Sequence, residues 1–143
     1  MLFNGEWYLC SDGVRRPVIR SEVLAQDGTW TPTFFLVDTG ADRTVLSGAV
    51  LAILGLPVIG FERLGGVGGI AHSVVVETQI RLTRENGGKV LFHGQFAAFS
   101  EVEALDMSVL GRDVTGLFAM IVDAPGDVVC LVGPGHGYSV QPA

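Results

Sequence analysis

The stretch Phe34-Phe35-Leu36-Val37-Asp38-Thr39-Gly40-Ala41-Asp42-Arg43-Thr44-Val45-Leu46 decides how this chain is read. An apolar, strand-forming run ends abruptly on a carboxylate. Placing a carboxylate at the end of a buried strand is costly unless a partner compensates it or a reaction uses it. Thr39 then supplies a hydroxyl, and Gly40 tolerates dihedrals that other residues avoid, so a tight hydrogen-bonded turn is expected. Such a turn presents an acid at the floor of a cleft. Taken alone, the same aspartate also fits a turn residue that caps its own backbone.

Two further segments add to this stretch. Gly65-Gly66-Val67-Gly68-Gly69 has the composition of a glycine-rich hairpin tip, and Val109-Leu110-Gly111-Arg112-Asp113 sets an apolar pair and a glycine before two charges. In this order the three segments resemble the retroviral aspartic peptidases (retropepsins) and their cellular and bacterial relatives. The resemblance runs from about Arg16 to Leu117 and is strongest over Leu36–Leu46, Gly65–Ile70 and Val109–Asp113.

The resemblance implies an all-β, retropepsin-like acid protease barrel with one or two short helices, a flap hairpin and a homodimeric assembly. It also implies a chemistry. Carboxylate-driven peptide hydrolysis uses two acids around one water, one as base and one protonated to polarise the carbonyl. The chain has one Asp-Thr-Gly, and neither Asp113, Asp123 nor Asp127 is followed by Thr/Ser-Gly. A two-fold dimer in which each subunit supplies Asp38 completes the site. Asp38, Thr39 and Gly40 are then the catalytic segment, with Thr39 bonding across the axis. Ala41, Asp42, Arg43, Val45, Gly66, Val67, Gly68, Gly69, Ile70 and Val109 are the expected substrate-binding residues, the glycines bringing backbone amides to an extended peptide. Asp42 and Arg112 match a buried ion pair behind the loop. Arg16, or its neighbour Arg15, matches an arginine that reaches the other subunit near Asp42.

Two positions depart from common patterns in these families. Ala41 stands where many two-lobed aspartic proteases have a serine that steadies the ionised dyad, so this dyad is expected to keep its proton to higher pH. Arg43 stands where retroviral enzymes commonly have an acid. It suggests tolerance of acidic substrate side chains, unless it merely faces solvent. The rival to a peptidase is a catalytically weak module of the same fold that binds or dimerises. A third reading is an unrelated small barrel with a coincidental Asp-Thr-Gly.

Composition bounds the rest. With 143 residues, 48% of them hydrophobic, the chain is expected to form one domain over 1–132 with a loose tail over 133–143. A net charge of −6 argues against nucleic-acid or anionic-membrane partners, while the resemblance implies a peptide or protein substrate. With no basic start and apolar run at its beginning, and no long apolar stretch, the chain reads as cytoplasmic. His72, His93 and His136 lack metal-ligand spacing, so no metal or other cofactor is expected. Cys10 and Cys130 read as free thiols, although a disulfide is conceivable near interleaved chain ends.

Turn signals and alternation divide the chain into short strands. Strands are expected over Trp7–Cys10, Val18–Ala25, Thr31–Val37, Phe61–Leu64, Ile70–Val76, Val74–Thr83, Val90–Phe99, Ser108–Leu110, Phe118–Asp123 and Val128–Val132. Ser47 is placed to cap a helix over Gly48–Leu54 that Gly55 stops. Arg112–Leu117 is at most two helical turns.

Overall fold

The computed structural model describes residues 1–66, 69–101 and 105–134, with the backbone alone for residues 66 and 69–71. Val67, Gly68, His136 and most of the expected tail lie outside the described residues. The architecture is all-β. In chain order the strands are β1 (Leu2–Asn4), β2 (Glu6–Leu9), β3 (Arg15–Leu24), β4 (Trp30–Val37), β5 (Val45–Leu46), β6 (Gly60–Gly66), β7 (Gly69–Thr83), β8 (Lys89–Ala98), β9 (Ser108–Leu110), β10 (Ala119–Asp123) and β11 (Val128–Val132), joined by helices α1 (Gly48–Leu54) and α2 (Arg112–Thr115).

The larger sheet runs β2-β3-β4-β9-β5-β8-β7-β6, and β3 also pairs with β7. That extra pairing, Glu22 with Arg81 and Val23 with Ile80, closes the strands from β3 to β7 into a barrel. β2 and β6 extend beyond the ring as outer strands. Inside the ring Ile19, Val23, Phe35, Leu46, Val76, Ile80, Leu82 and Leu110 are buried almost completely. Their alternation with less buried positions along β3 and β4 is the period-two pattern that makes one face of each strand apolar. A smaller sheet, β1-β11-β10, gathers the two ends of the described chain. Phe3 pins it to the barrel core and meets Phe118 edge-on, with ring centroids 5.4 Å apart.

Helix α1 begins where Ser47 accepts a hydrogen bond from the Val50 amide at 3.3 Å. It ends at Gly55, whose φ of 62° is left-handed, a conformation glycine adopts without a steric penalty. The arms expected over Ile70–Val76 and Val74–Thr83 are one continuous strand, β7. Its Gly69–Val75 half pairs with β6 and its Val74–Thr83 half with β8. Strands β1 and β5 were not expected. They hold three and two residues, too few for a periodic signal, and exist through their partners β11, β8 and β9. Past β11, the Gly133 amide donates to Met1 O at 2.7 Å. Cys10 and Cys130 are free thiols. Among the described residues no helix is long and apolar enough to cross a membrane.

The barrel closure carries an ion-pair network. Glu22 accepts from Arg81 at 2.6 and 3.2 Å and from Lys89 at 3.3 Å, and the Arg81 guanidinium stacks over the Trp30 ring. The Arg81 bonds hold the Glu22 carboxyl below the usual range, against a smaller opposing effect of burial, with Lys89 adding to the lowering. A depressed carboxyl stabilises the fold above its unfolded pKa, and that contribution disappears as pH falls through the folded value. Glu22→Gln should therefore lower stability at pH 7, and the deficit should shrink as pH drops below about 4.3. Urea titrations at several pH values check this. A deficit that stays constant from neutral to strongly acid pH would mean that the Glu22 charge is not what stabilises the closure.

Candidate active site

Strand β4 ends at Val37 and delivers Asp38 onto an outward loop that returns to the sheet at Val45. Between them, in the sheet, lies β9. It runs parallel to β4 through Phe35↔Ser108, Leu36↔Val109 and Val37↔Leu110, and antiparallel to β5 through Val45↔Val109. The chain leaving β9 therefore passes directly behind the Asp38 loop.

Residues 110–113 satisfy that loop group by group. The Asp38 amide donates to Leu110 O at 3.3 Å, and the Arg112 amide donates to Ala41 O at 2.8 Å. The Arg112 guanidinium donates to Thr39 O at 2.7 Å and pairs with Asp42. Deeper in, the Gly111 amide donates to Thr44 Oγ1 at 3.1 Å, and the Thr44 hydroxyl donates onward to Asp113 Oδ1 at 2.6 Å. The Thr44 amide also donates to both Asp113 oxygens, at 2.9 and 3.0 Å. Thr44 is fully buried, so its amide and hydroxyl need partners, and Asp113 and Gly111 supply them. Gly111 is required for a steric reason. A Cβ there would stand 2.3 Å from the Arg43 carbonyl carbon and 2.8 Å from the Thr44 nitrogen.

At the tip, Asp38 Oδ1 accepts a hydrogen bond from the Gly40 amide at 2.9 Å, and Thr39 and Gly40 are exposed. The carboxylate thus steadies its own turn while remaining at the surface of the chain.

A groove of about 440 Å³ opens beside the tip, lined by Gly40, Ala41, Asp42, Arg43, Val45, Glu62, Arg63, Leu64 and Gly65. It brings the loop together with β6. The backbone of the β6–β7 hairpin pairs Gly65 with Ile70 and Gly66 with Gly69, while Val67 and Gly68 lie outside the described residues. A second groove, about 580 Å³, is lined by Tyr8, Asp12, Arg16, Leu36, Met107 and Val109 among others. The structure thus separates two of the expected substrate-binding residues: Val45 lines the first groove and Val109 the second. Both are largely buried, each being the other's cross-strand partner.

Two expectations, the burial of the Asp42–Arg112 pair and the free guanidinium of Arg43, need correction. The Asp42–Arg112 pair forms, but its side chains are 80% and 53% exposed, so it is not buried. It sits on the outer rim of the loop, while the more sheltered acid against the loop is Asp113, with a side chain 25% exposed. Arg16 is engaged within its own chain. It forms a two-pronged pair with Asp12 at 2.8 and 3.0 Å, which holds the Asp12 carboxyl down at about 2. Arg15 pairs with Asp127 at 2.6 Å. Arg43 neither stands free for an acid nor faces solvent. It pairs with Glu62, donates to Gln95 O at 3.2 Å, and lies 3.9 Å from Asp113. Thr44, Asp113 and Glu62 were not named as site residues. Asp113 was weighed only as a second catalytic acid, and sequence proximity to Arg112 hid its role on Thr44.

No protein-family model and no curated protein matches the sequence. Solved structures do. The chain is similar to the EIAV protease complexed with the inhibitor HBY-793, with 24% identity, a TM-score of 0.52, and coverage of 71% of this chain and 86% of that one. It is also similar to a retropepsin-like aspartic protease from Rickettsia conorii, with 18% identity, a TM-score of 0.56, and coverage of 92% of this chain and 88% of that one. The fold is retropepsin-like.

The Thr44 cluster and the rim pair should respond differently to mutation. Thr44→Val keeps the shape but strands the Gly111 amide and removes a donor to Asp113, which should cost about 1–3 kcal/mol. Asp42→Asn breaks an exposed pair and should cost about 1 kcal/mol or less. Denaturant melts of both variants decide the matter; the reverse ranking would show that the rim pair, not the Thr44 cluster, holds the loop.

Proposed function

We propose that this chain is an aspartic endopeptidase that works as a homodimer. Each subunit supplies Asp38, and the two carboxylates share one proton and activate one water. One takes a proton from the water as it attacks the scissile carbonyl, and the other donates a hydrogen bond to the carbonyl oxygen. Two carboxylates this close cannot both ionise; the aspartic-protease dyad is the standard example of that rule. The pair titrates as a unit.

The observation that carries this reading is the position of Asp38-Thr39-Gly40. The tripeptide sits on an exposed loop at the end of a central strand of a retropepsin-like barrel, clasped from behind and open to a groove. The β6–β7 hairpin acts as the flap. Its Gly65, Gly66 and Gly69 backbone lets an extended substrate lie close and pair as an added strand. The rival reading, a non-cleaving module, has one observation in its favour. The Asp38 carboxylate is already engaged by the Gly40 amide, as a plain turn aspartate would be.

A fluorogenic peptide library assayed with the purified chain separates the two. Asp38→Asn should lower turnover by about 10²-fold or more, with the thermal melt unchanged. Retained turnover in that variant would end the peptidase reading, and a chain that sediments as a monomer at assay concentration would end the shared site.

The pH profile should carry the mark of Ala41. Alanine offers no hydroxyl to the ionised pair, so the shared proton is held to higher pH and the rate should peak in mildly acid solution. An optimum below about pH 3 would contradict this.

A further inference from the structure

Arg43 lines the groove beside the Asp38 loop, and its guanidinium is already engaged within the chain. Its guanidinium pairs with Glu62 on β6, donates to Gln95 O on β8 at 3.2 Å, and lies 3.9 Å from Asp113 on α2. The Arg43 and Glu62 side chains are 33% and 32% exposed, so their pair is partly desolvated and partly open to the groove that both line. The second Glu62 oxygen is buried without a hydrogen-bond partner. Glu62 has therefore given up solvent to reach Arg43, although only one of its oxygens is satisfied there.

We propose that Glu62 is a specificity-determining residue, occupying Arg43 in the place an acidic substrate side chain would take, so that this groove accepts uncharged side chains and turns acidic ones away. This rests on the peptidase reading for its biological meaning, but not for its geometry. Arginine binds carboxylates through a planar fork of donors, and a fork already filled from within the chain has no vacant face for a second acid. An entering carboxylate has to expel Glu62, which leaves that carboxylate half-buried without its cation. It would also approach Asp113 and Asp42, which adds like-charge repulsion. A neutral side chain enters without disturbing any of these groups. The tolerance of acids suggested by Arg43 in the sequence is thus cancelled by a residue nineteen positions away.

The test is a peptide array in which one position at a time is Ala, Gln, Glu or Lys, probed with the full chain carrying Asp38→Asn so that binding is read without cleavage. Glu62→Gln on that background should strengthen binding of Glu peptides relative to their Gln counterparts by about fivefold or more at one position. Adding Arg43→Gln should abolish the gain. That double variant matters because Arg63 lines the same groove. A gain that survives loss of Arg43 assigns acid binding to another cation and overturns the proposal, as does no gain in Glu62→Gln. Peptide binding by every variant with no dependence on Glu62 sinks this proposal alone. Turnover that persists in Asp38→Asn sinks the peptidase reading alone. A chain that binds no peptide in any form sinks both.

Discussion

The site depends on the pairing of a four-residue segment, Leu110 to Asp113, with the underside of the Asp38 loop. A loop that leaves the sheet at Val37 and returns at Val45 carries backbone donors and acceptors with no strand partner of its own. Unpaired polar groups at a partly buried position would each cost about 1–3 kcal/mol. Here Leu110 O, the Arg112 amide and side chain, and the Asp113 carboxylate take them up in sequence. Because β9 lies between β4 and β5, the segment emerges where those groups are. Topology, not local propensity, supplies the loop's hydrogen-bond partners.

Thr44 is where this constraint is tightest. Its hydroxyl accepts from Gly111 and donates to Asp113, while its amide donates to the same carboxylate. Serine would keep the hydroxyl but leave unfilled the volume of the methyl, and valine the reverse. Gly111 completes the fit by having no Cβ where the Arg43 carbonyl passes. Three residues thus set the height of the loop above the sheet. The exposed Asp42–Arg112 pair adds a rim contact of the kind that contributes little by itself.

Much of this was legible in the sequence because the relevant signals are local. The apolar run into Asp38, the Ser47 cap with its Gly55 stop, and the glycine pairs around position 67 each declare themselves within a few residues. What was not legible is what depends on two segments meeting. The role of Asp113 requires knowing that β9 enters between β4 and β5, and no periodicity reports strand order. The pairing of Arg43 with Glu62 joins the loop to an outer strand, and a charge viewed along the chain says nothing about which opposite charge it will face. The burial expected for Asp42 and Arg112 failed for a related reason. The resemblance supplied the pair, but burial is a property of everything packed around it. Strand β5 escaped because two residues cannot show an alternation.

The same clasp bears on how two half-sites would combine. In the single chain the Asp38 carboxylate is already oriented by the Gly40 amide, and the loop backbone is already paired. Ordering a flexible loop costs roughly 1–2 kcal/mol for each residue fixed, and a loop that folds with its own subunit meets that cost before association. In the proposed dimer, association would then have to overcome the loss of independent motion and the repulsion of two acids, the second of which a shared proton would relieve. A pre-formed loop also fixes the separation of the acids by the shape of the interface and not by the flexibility of the turn. Catalytic geometry is sensitive to displacements near 1 Å, so the stiffness that residues 110–113 give the loop is the property a shared carboxylate site most requires.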